Sequence, residues 1–316
     1  MSTRLRVISD NDYSGDPDGL VQLAHLLLSP SVDVRAVIGS HLRAGDPFDP
    51  STTTATKAKA AADVVVDLLG LTDRVTVLEG SNDALADRHT PIRSAGAEAI
   101  VAEAMRDSDQ PLYVTLGAGL TELASAFLLE PRIAERLTAV WIGGPEHDGL
   151  AVAPPRADGP EVSEYNLRID VTAAQVVLDS PIPLWQVPRD AYRQAIMSMA
   201  ELETRVRPHG AIGEHLVDRL VAVTEMAAAH GFHAGEVYIL GDSPLVLLTA
   251  LQSSFEPDPS SCRYVTLPAP AIDDEGRYVA RPGGRPIRVY THLDNRLMFD
   301  DLVAKLARHA AATAIA

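Results

Sequence analysis

Short apolar runs alternate with helical patterns through most of this chain. Residues 5–8 form a short, mainly apolar run of strand length, and residues 20–28 repeat apolar positions at helical spacing. The same alternation recurs in strand-like runs at 34–38, 75–78, 112–116, 139–142 and 183–187. Between them, residues 55–69, 95–105, 120–129 and 171–178 read as helices, with Gly70 as a stop after the first of these. Residues 211–230 read as a long helix broken at Gly231-Phe232-His233, and a run at 237–240 leads through Gly241-Asp242-Ser243-Pro244 into an apolar helix. Residues 42–54, with Pro47, Pro50 and a Ser/Thr cluster, read as a mobile surface loop.

Buried strands alternating with helices predict an α/β fold: an open, mostly parallel central sheet with helices on both faces. No internal repeat or low-complexity linker divides the chain, so residues 1–316 read as a single catalytic domain. Ligands of such sheets bind beyond the carboxyl ends of the strands. The turns after the strands, at 10–18, Ser40, Gly117 and Gly143, are therefore expected to converge on one edge.

Composition narrows the choice of partners. A net charge of −16 argues against general binding to nucleic acid or an anionic membrane. Cys262 is the single cysteine, which excludes an intramolecular disulfide framework and a multi-thiolate metal site. The first strand follows Met1 without an apolar signal segment, and no apolar run is long enough to span a membrane, so the expectation is a soluble cytoplasmic protein.

The densest chemistry lies after the first strand, where Asp10, Asp12, Asp16 and Asp18 place four carboxylates within nine residues. A divalent cation would relieve their repulsion, and oxygen-only donors suit Ca²⁺ or Mg²⁺ better than zinc. A solvated acidic turn with Asp18 at a helix start is the alternative. Further on, an extended Glu164-Tyr165-Asn166 would point Glu164 and Asn166 the same way, as an acceptor beside an amide suited to sugar hydroxyls. The alternative there is a helix-capping turn. Asp242, between Gly and Ser-Pro at a helix start, is in a position more often taken by a cap than by a ligand.

Taken in order, these segments resemble the nucleoside hydrolases, the metal-dependent N-ribohydrolases. Asp10-Asn11-Asp12 and the acids after it are similar to the family's Asp-x-Asp-Pro-Gly-x-Asp-Asp turn. Gly117-Ala118-Gly119-Leu120-Thr121-Glu122-Leu123-Ala124 resembles its Gly-x-Leu-Thr-Asn-x-Ala turn, and Ile142-Gly143-Gly144 its Met-Gly-Gly. Ser163-Glu164-Tyr165-Asn166 with Asp170 is similar to Ala-Glu-Phe-Asn and its downstream Asp, and Asp294 to Asp300 follow a familiar closing pattern. The chain also departs from the family. Its acidic turn is two residues longer, and Gly15-Asp16-Pro17-Asp18 is closer to a divergent branch whose final Asp is Gly19 here. The family's Asn after the second strand is Ser40, and the histidine that many members carry before the last aspartate is Gly241.

The resemblance implies a nucleoside-hydrolase-like, Rossmann-like core and hydrolysis of the N-glycosidic bond of a ribonucleoside or related ribosyl compound. It implies a Ca²⁺ (or Mg²⁺) held by Asp12, Asp16, Asp242 and a carbonyl of Leu116 or Gly117, with Asp12 as base. Asp18, Ser40, Glu164 and Asn166 would orient the sugar, and a homodimer or homotetramer is expected. In place of the missing histidine, His233 at the helix break is the leading candidate acid, with His147 and His41 behind it and Phe232 contributing to the pocket. Two other readings stand beside this one: a sugar- or nucleoside-binding protein with little hydrolysis, and a haloacid-dehalogenase-type phosphatase using Asp10-x-Asp12. The latter needs a lysine at a later strand end, and Lys57, Lys59 and Lys305 all fall in helical patterns.

Overall fold

The computed structural model describes residues 4–153, 163–253 and 261–314. Twelve strands run in chain order: β1 (Leu5–Asn11), β2 (Val32–Gly39), β3 (Val77–Glu79), β4 (Leu112–Leu116), β5 (Thr138–Ile142), β6 (Leu184–Val187), β7 (Ile196–Ser198), β8 (Val237–Ile239), β9 (Arg263–Pro268), β10 (Ala271–Ile272), β11 (Tyr278–Val279) and β12 (Pro286–His292). Eight of them form one sheet in the order β3-β2-β1-β4-β5-β6-β12-β9. All its pairings are parallel except the edge pair β12–β9. β10–β11 and β7–β8 are separate antiparallel pairs.

Every residue of β1 is buried, as a strand covered on both faces requires. One apolar layer joins the Asp18–Leu27, Thr54–Leu68, Gly210–Ala229 and Asn295–Thr313 helices to the sheet, through residues such as Leu20, Leu23, Val65, Leu216 and Leu302. The other layer joins the Ala95–Ala104, Thr121–Leu129 and Val171–Asp179 helices, through Ile100, Leu123 and Val177. This is the doubly covered α/β sheet that the apolar pattern predicts.

The chain runs outward from β1 through β2 to β3, then returns to the other side of β1 and continues through β4, β5 and β6. The order reverses between β1 and β4, which opens a crevice at their carboxyl ends. That crevice lies between Asn11 at the end of β1 and Gly117 just after β4.

Two local expectations change. Residues 42–54 are not a loose surface loop: Asp46 and Leu42 are buried and Asp49 nearly so. The Glu164–Asn166 stretch is not extended, because Tyr165–Ile169 is a short helix and Glu164 is its N-cap, accepting from Leu167 N–H. β9, β10 and β11 and the antiparallel partner of β8 were not visible as periodic runs.

Candidate active site

The cavity at the crevice has a volume of about 180 Å³. It is lined by Asp12, Asp16, Asp18, Glu164 and Asp242, by Gly117, Asn166 and Gly241, and by Phe48, Ile142, Tyr165 and Tyr192. Five carboxyl groups from three separate segments thus meet on one small space.

Asp12 lies immediately beyond β1, with its backbone N–H donating to Asn11 Oδ1 at 2.8 Å. Asn11 Nδ2 in turn donates to Asp242 Oδ2 at 2.8 Å, so one buried amide ties the first strand to the turn after β8. Gly117 is required beside it, since a Cβ there would lie 2.3 Å from Asn11 Nδ2. Asp18, at the start of the first helix, accepts from Asp242 N–H at 3.0 Å. Asp16 accepts from the Tyr238 hydroxyl at 2.7 Å. Tyr238 faces inward from β8, whose neighbours Val237 and Ile239 are exposed, as alternation along a strand dictates.

Glu164 and Asn166 are held as firmly. Glu164 Oε2 accepts from Gly144 N–H at 2.7 Å and Leu167 N–H at 3.0 Å, while Oε1 accepts from the Tyr192 hydroxyl at 2.9 Å. Asn166 Nδ2 donates to the carbonyls of Gly117 at 3.0 Å and Ile142 at 2.8 Å, bridging the ends of β4 and β5. Glu164 therefore caps a helix and lines the cavity at once.

Burial without compensating cations dominates the electrostatics. Burial first, then Asp242, Asp16 and Asp46, raises the Asp12 carboxyl well above its usual range. Burial, then Asp242 and Asp16, does the same to Asp18. Asp242 is pushed up to about 7 by burial, with Asp16 and Glu164 adding to it against the opposing hydrogen bond from Asn11. A positive charge among these groups would relieve all three shifts at once. Among the described residues no three His, Cys, Asp or Glu side chains are gathered as a ready-made metal cluster. The donor chemistry nonetheless suits a hard divalent cation, since every acidic group at the cavity is an oxygen donor.

Of the residues singled out in the sequence, Asp12, Asp16, Asp18, Gly117, Glu164, Asn166 and Asp242 line this cavity together. Ser40 does not; it is buried at the end of β2 beside Asp10. Phe232 is 73% exposed and His233 is also exposed, and neither lines the cavity, because the break after the Gly210–Ala229 helix turns both toward solvent. His41 is buried between the Leu42 carbonyl and the Thr121 hydroxyl, and His147 contacts Gln186.

Sequence reasoning missed Asp46, Phe48 and Tyr192. Asp46 Oδ2 accepts from the Tyr165 hydroxyl at 2.8 Å and fixes that ring at the cavity wall. Its place in a Pro-containing polar segment gave no sign of this; the one available signal was an aromatic residue, Phe48, in an otherwise polar stretch.

Residues 7–300 match the family model for inosine-uridine preferring nucleoside hydrolases. The chain belongs to that family. It is 36% identical over 106 residues to an inosine-uridine preferring nucleoside hydrolase of Leishmania major, a stretch covering 33% of this chain and 31% of that protein. It is 36% identical over 92 residues to the enzyme of the same description from Crithidia fasciculata, covering 28% and 27% respectively. The matched stretches thus span about a third or less of these relatives' length. The structure of an inosine-uridine preferring nucleoside hydrolase from Bacillus anthracis superposes with a TM-score of 0.68 at 16% identity, over 96% of this chain and 99% of that one. At that identity the superposition speaks for the fold, and it extends over nearly the whole chain. Family membership sets aside the phosphatase alternative, and none of the residues lining the cavity is a lysine.

Proposed function

We propose that this chain is a calcium-dependent N-ribohydrolase that cleaves the N-glycosidic bond of a ribonucleoside or related ribosyl compound. The observation that carries this reading is the convergence of Asp12, Asp16, Asp18, Asp242, Glu164 and Asn166 on one cavity at the point where the strand order reverses. Family membership supports the reaction type.

In this reading Asp12, Asp16 and Asp242 hold the cation, with the Gly117 carbonyl beside them; Mg²⁺ is the other candidate for the place. When bound, the ion supplies Lewis-acid polarisation to a water and to sugar hydroxyls. The protein's own groups do the rest. Asp12, placed at the cavity wall beside the cation, accepts the proton of the attacking water. Glu164 and Asn166, already fixed by backbone partners, present oxygen acceptors to ribose hydroxyls without reorganising, as does Asp18. The anionic lining stabilises the positive charge that grows on the sugar ring as the bond to the base breaks. Phe48, Tyr165 and Tyr192 shield that charge from water and wall the aglycone. No histidine lines the cavity, so the leaving base takes its proton from solvent in this account.

Asp242→Ala is the test. It should abolish calcium binding in a calorimetric titration and lower ribose release at least 100-fold, in the range set for metal-assisted and general-base steps. Calcium affinity equal to the parent's would remove Asp242 from the ligand set. We also propose a homodimer or homotetramer, supported by the exposed apolar side chains Ile196, Val237 and Ile239 on the outer face of the β7–β8 pair. A sedimentation mass near the 33.8 kDa of one chain would contradict it.

A further inference from the structure

Glu164 is the cavity's one glutamate, and its two oxygens are held differently. Oε2 is fixed by two backbone N–H groups, of Gly144 and Leu167. Oε1 is held by a side chain, the hydroxyl of Tyr192 at 2.9 Å. Tyr192 ends the short Arg189–Tyr192 helix that follows β6, and its ring leans across the cavity toward the turn that carries Asp242. There it meets Gly241. A Cβ at position 241 would stand 3.2 Å from Tyr192 Cδ2 and 3.5 Å from Asp18 Oδ2, the first tighter than about nine in ten real contacts of that kind. A side chain at 241 therefore requires the tyrosine ring to shift by a few tenths of an ångström.

We propose that Tyr192 is a positioning residue that locks the Glu164 carboxylate to the Gly241–Asp242 turn, and that glycine at 241 is the condition for that lock. The phenol sets the rotation of the carboxylate and leaves the remaining lone pairs of Oε1 toward the cavity, where a ribose hydroxyl can donate. The ring's seat on Gly241 sets the phenol. A substituent at 241 displaces the ring and, through it, the carboxylate, although neither residue gains or loses a charge. Tyr192 acts on ligand through Glu164, and Gly241 acts through Tyr192. The proposal takes its ligand, a ribosyl group, from the N-ribohydrolase reading above.

The experiment is a double-mutant cycle read by binding, with iminoribitol as the probe in the calcium-loaded full chain, and ribose release measured in parallel. Hydrogen bonds to charged groups contribute enough that Tyr192→Phe should weaken probe binding by about 10- to 100-fold. Calcium affinity should change by less than about twofold, since the phenol does not touch Asp242. Gly241→Ala should cause a similar loss of probe affinity. The double variant should bind no worse than the weaker single one, because both changes break the same contact. Losses that multiply, or a Tyr192→Phe variant with parental probe affinity, would overturn the proposal. Should Gly241→Ala fail to fold, Tyr192→Phe decides alone, since it keeps the ring and its packing. A parent protein that binds the probe but releases no ribose would refute hydrolysis and leave the lock intact. A parent that does not bind the probe would refute both.

Discussion

Asn11 carries no charge, yet it determines where two charged groups sit. Its amide donates to Asp242 across 231 positions of sequence, and its carbonyl receives the N–H of Asp12. Replacing it with alanine removes a charge-assisted hydrogen bond of about 1.5–3 kcal/mol and frees the Asp242 carboxylate to rotate. Asn11→Ala should therefore weaken calcium binding at least tenfold, measured by titration calorimetry, while an unchanged affinity would show that Asp242 is held by other means. The adjacent glycine gives a sharper result. Gly117→Ala puts a Cβ into the Asn11 side chain and should cost more than about 2 kcal/mol in urea unfolding. His233→Ala should leave ribose release within about twofold of the parent, on nucleosides and activated aryl ribosides alike, because the side chain is exposed and away from the cavity. A selective loss on poor leaving groups would return His233 to the reaction. The aspartates were legible in the sequence because four acids in one turn demand an explanation. Asn11 was not, because its role depends on a partner that only the fold brings close.

At the scale of elements, the segment between β2 and the Thr54–Leu68 helix matters most. It reads as loop by composition, but Asp46 is fully buried and accepts from Tyr165, and this contact carries Phe48 to the cavity wall. Phe48→Ala should raise KM for nucleosides with aromatic bases by about tenfold, the scale of a lost aromatic contact, and leave small-aglycone ribosides little changed. Equal effects on both would mean that Phe48 only shapes the segment. The parallel strands of the sheet were readable because buried strands give unbroken apolar runs. β10 and β11, of two residues each, are too short to show a period, and the pairing of β7 with β8 is invisible without the register that sets Met197 opposite Tyr238. That register is what delivers the Tyr238 hydroxyl to Asp16.

For the whole molecule, the decisive quantity is the balance of charge at the crevice within a chain of net charge −16. Asp12, Asp18 and Asp242 have pKa values raised by burial and by one another. Their contribution to the stability of the cation-free protein is therefore fullest below about pH 4, where they are protonated folded and unfolded alike. It is lost as the pH rises through about 7, the value to which Asp242 is raised. A cation requires the ionised forms, so its effect runs the other way. The difference in melting temperature between calcium-loaded and chelator-treated protein should widen as pH rises from about 4 to above 7. A difference independent of pH would separate calcium binding from these carboxylates. Among the described residues no helix is long and apolar enough to cross a membrane. The central claim is tested most directly by ribose release from inosine and uridine, by the chelator-treated protein before and after calcium is restored. The account predicts free ribose and free base in equal amounts, lost on chelation and regained with calcium. A fully folded, calcium-loaded protein that releases no ribose from these or other ribosides would contradict it.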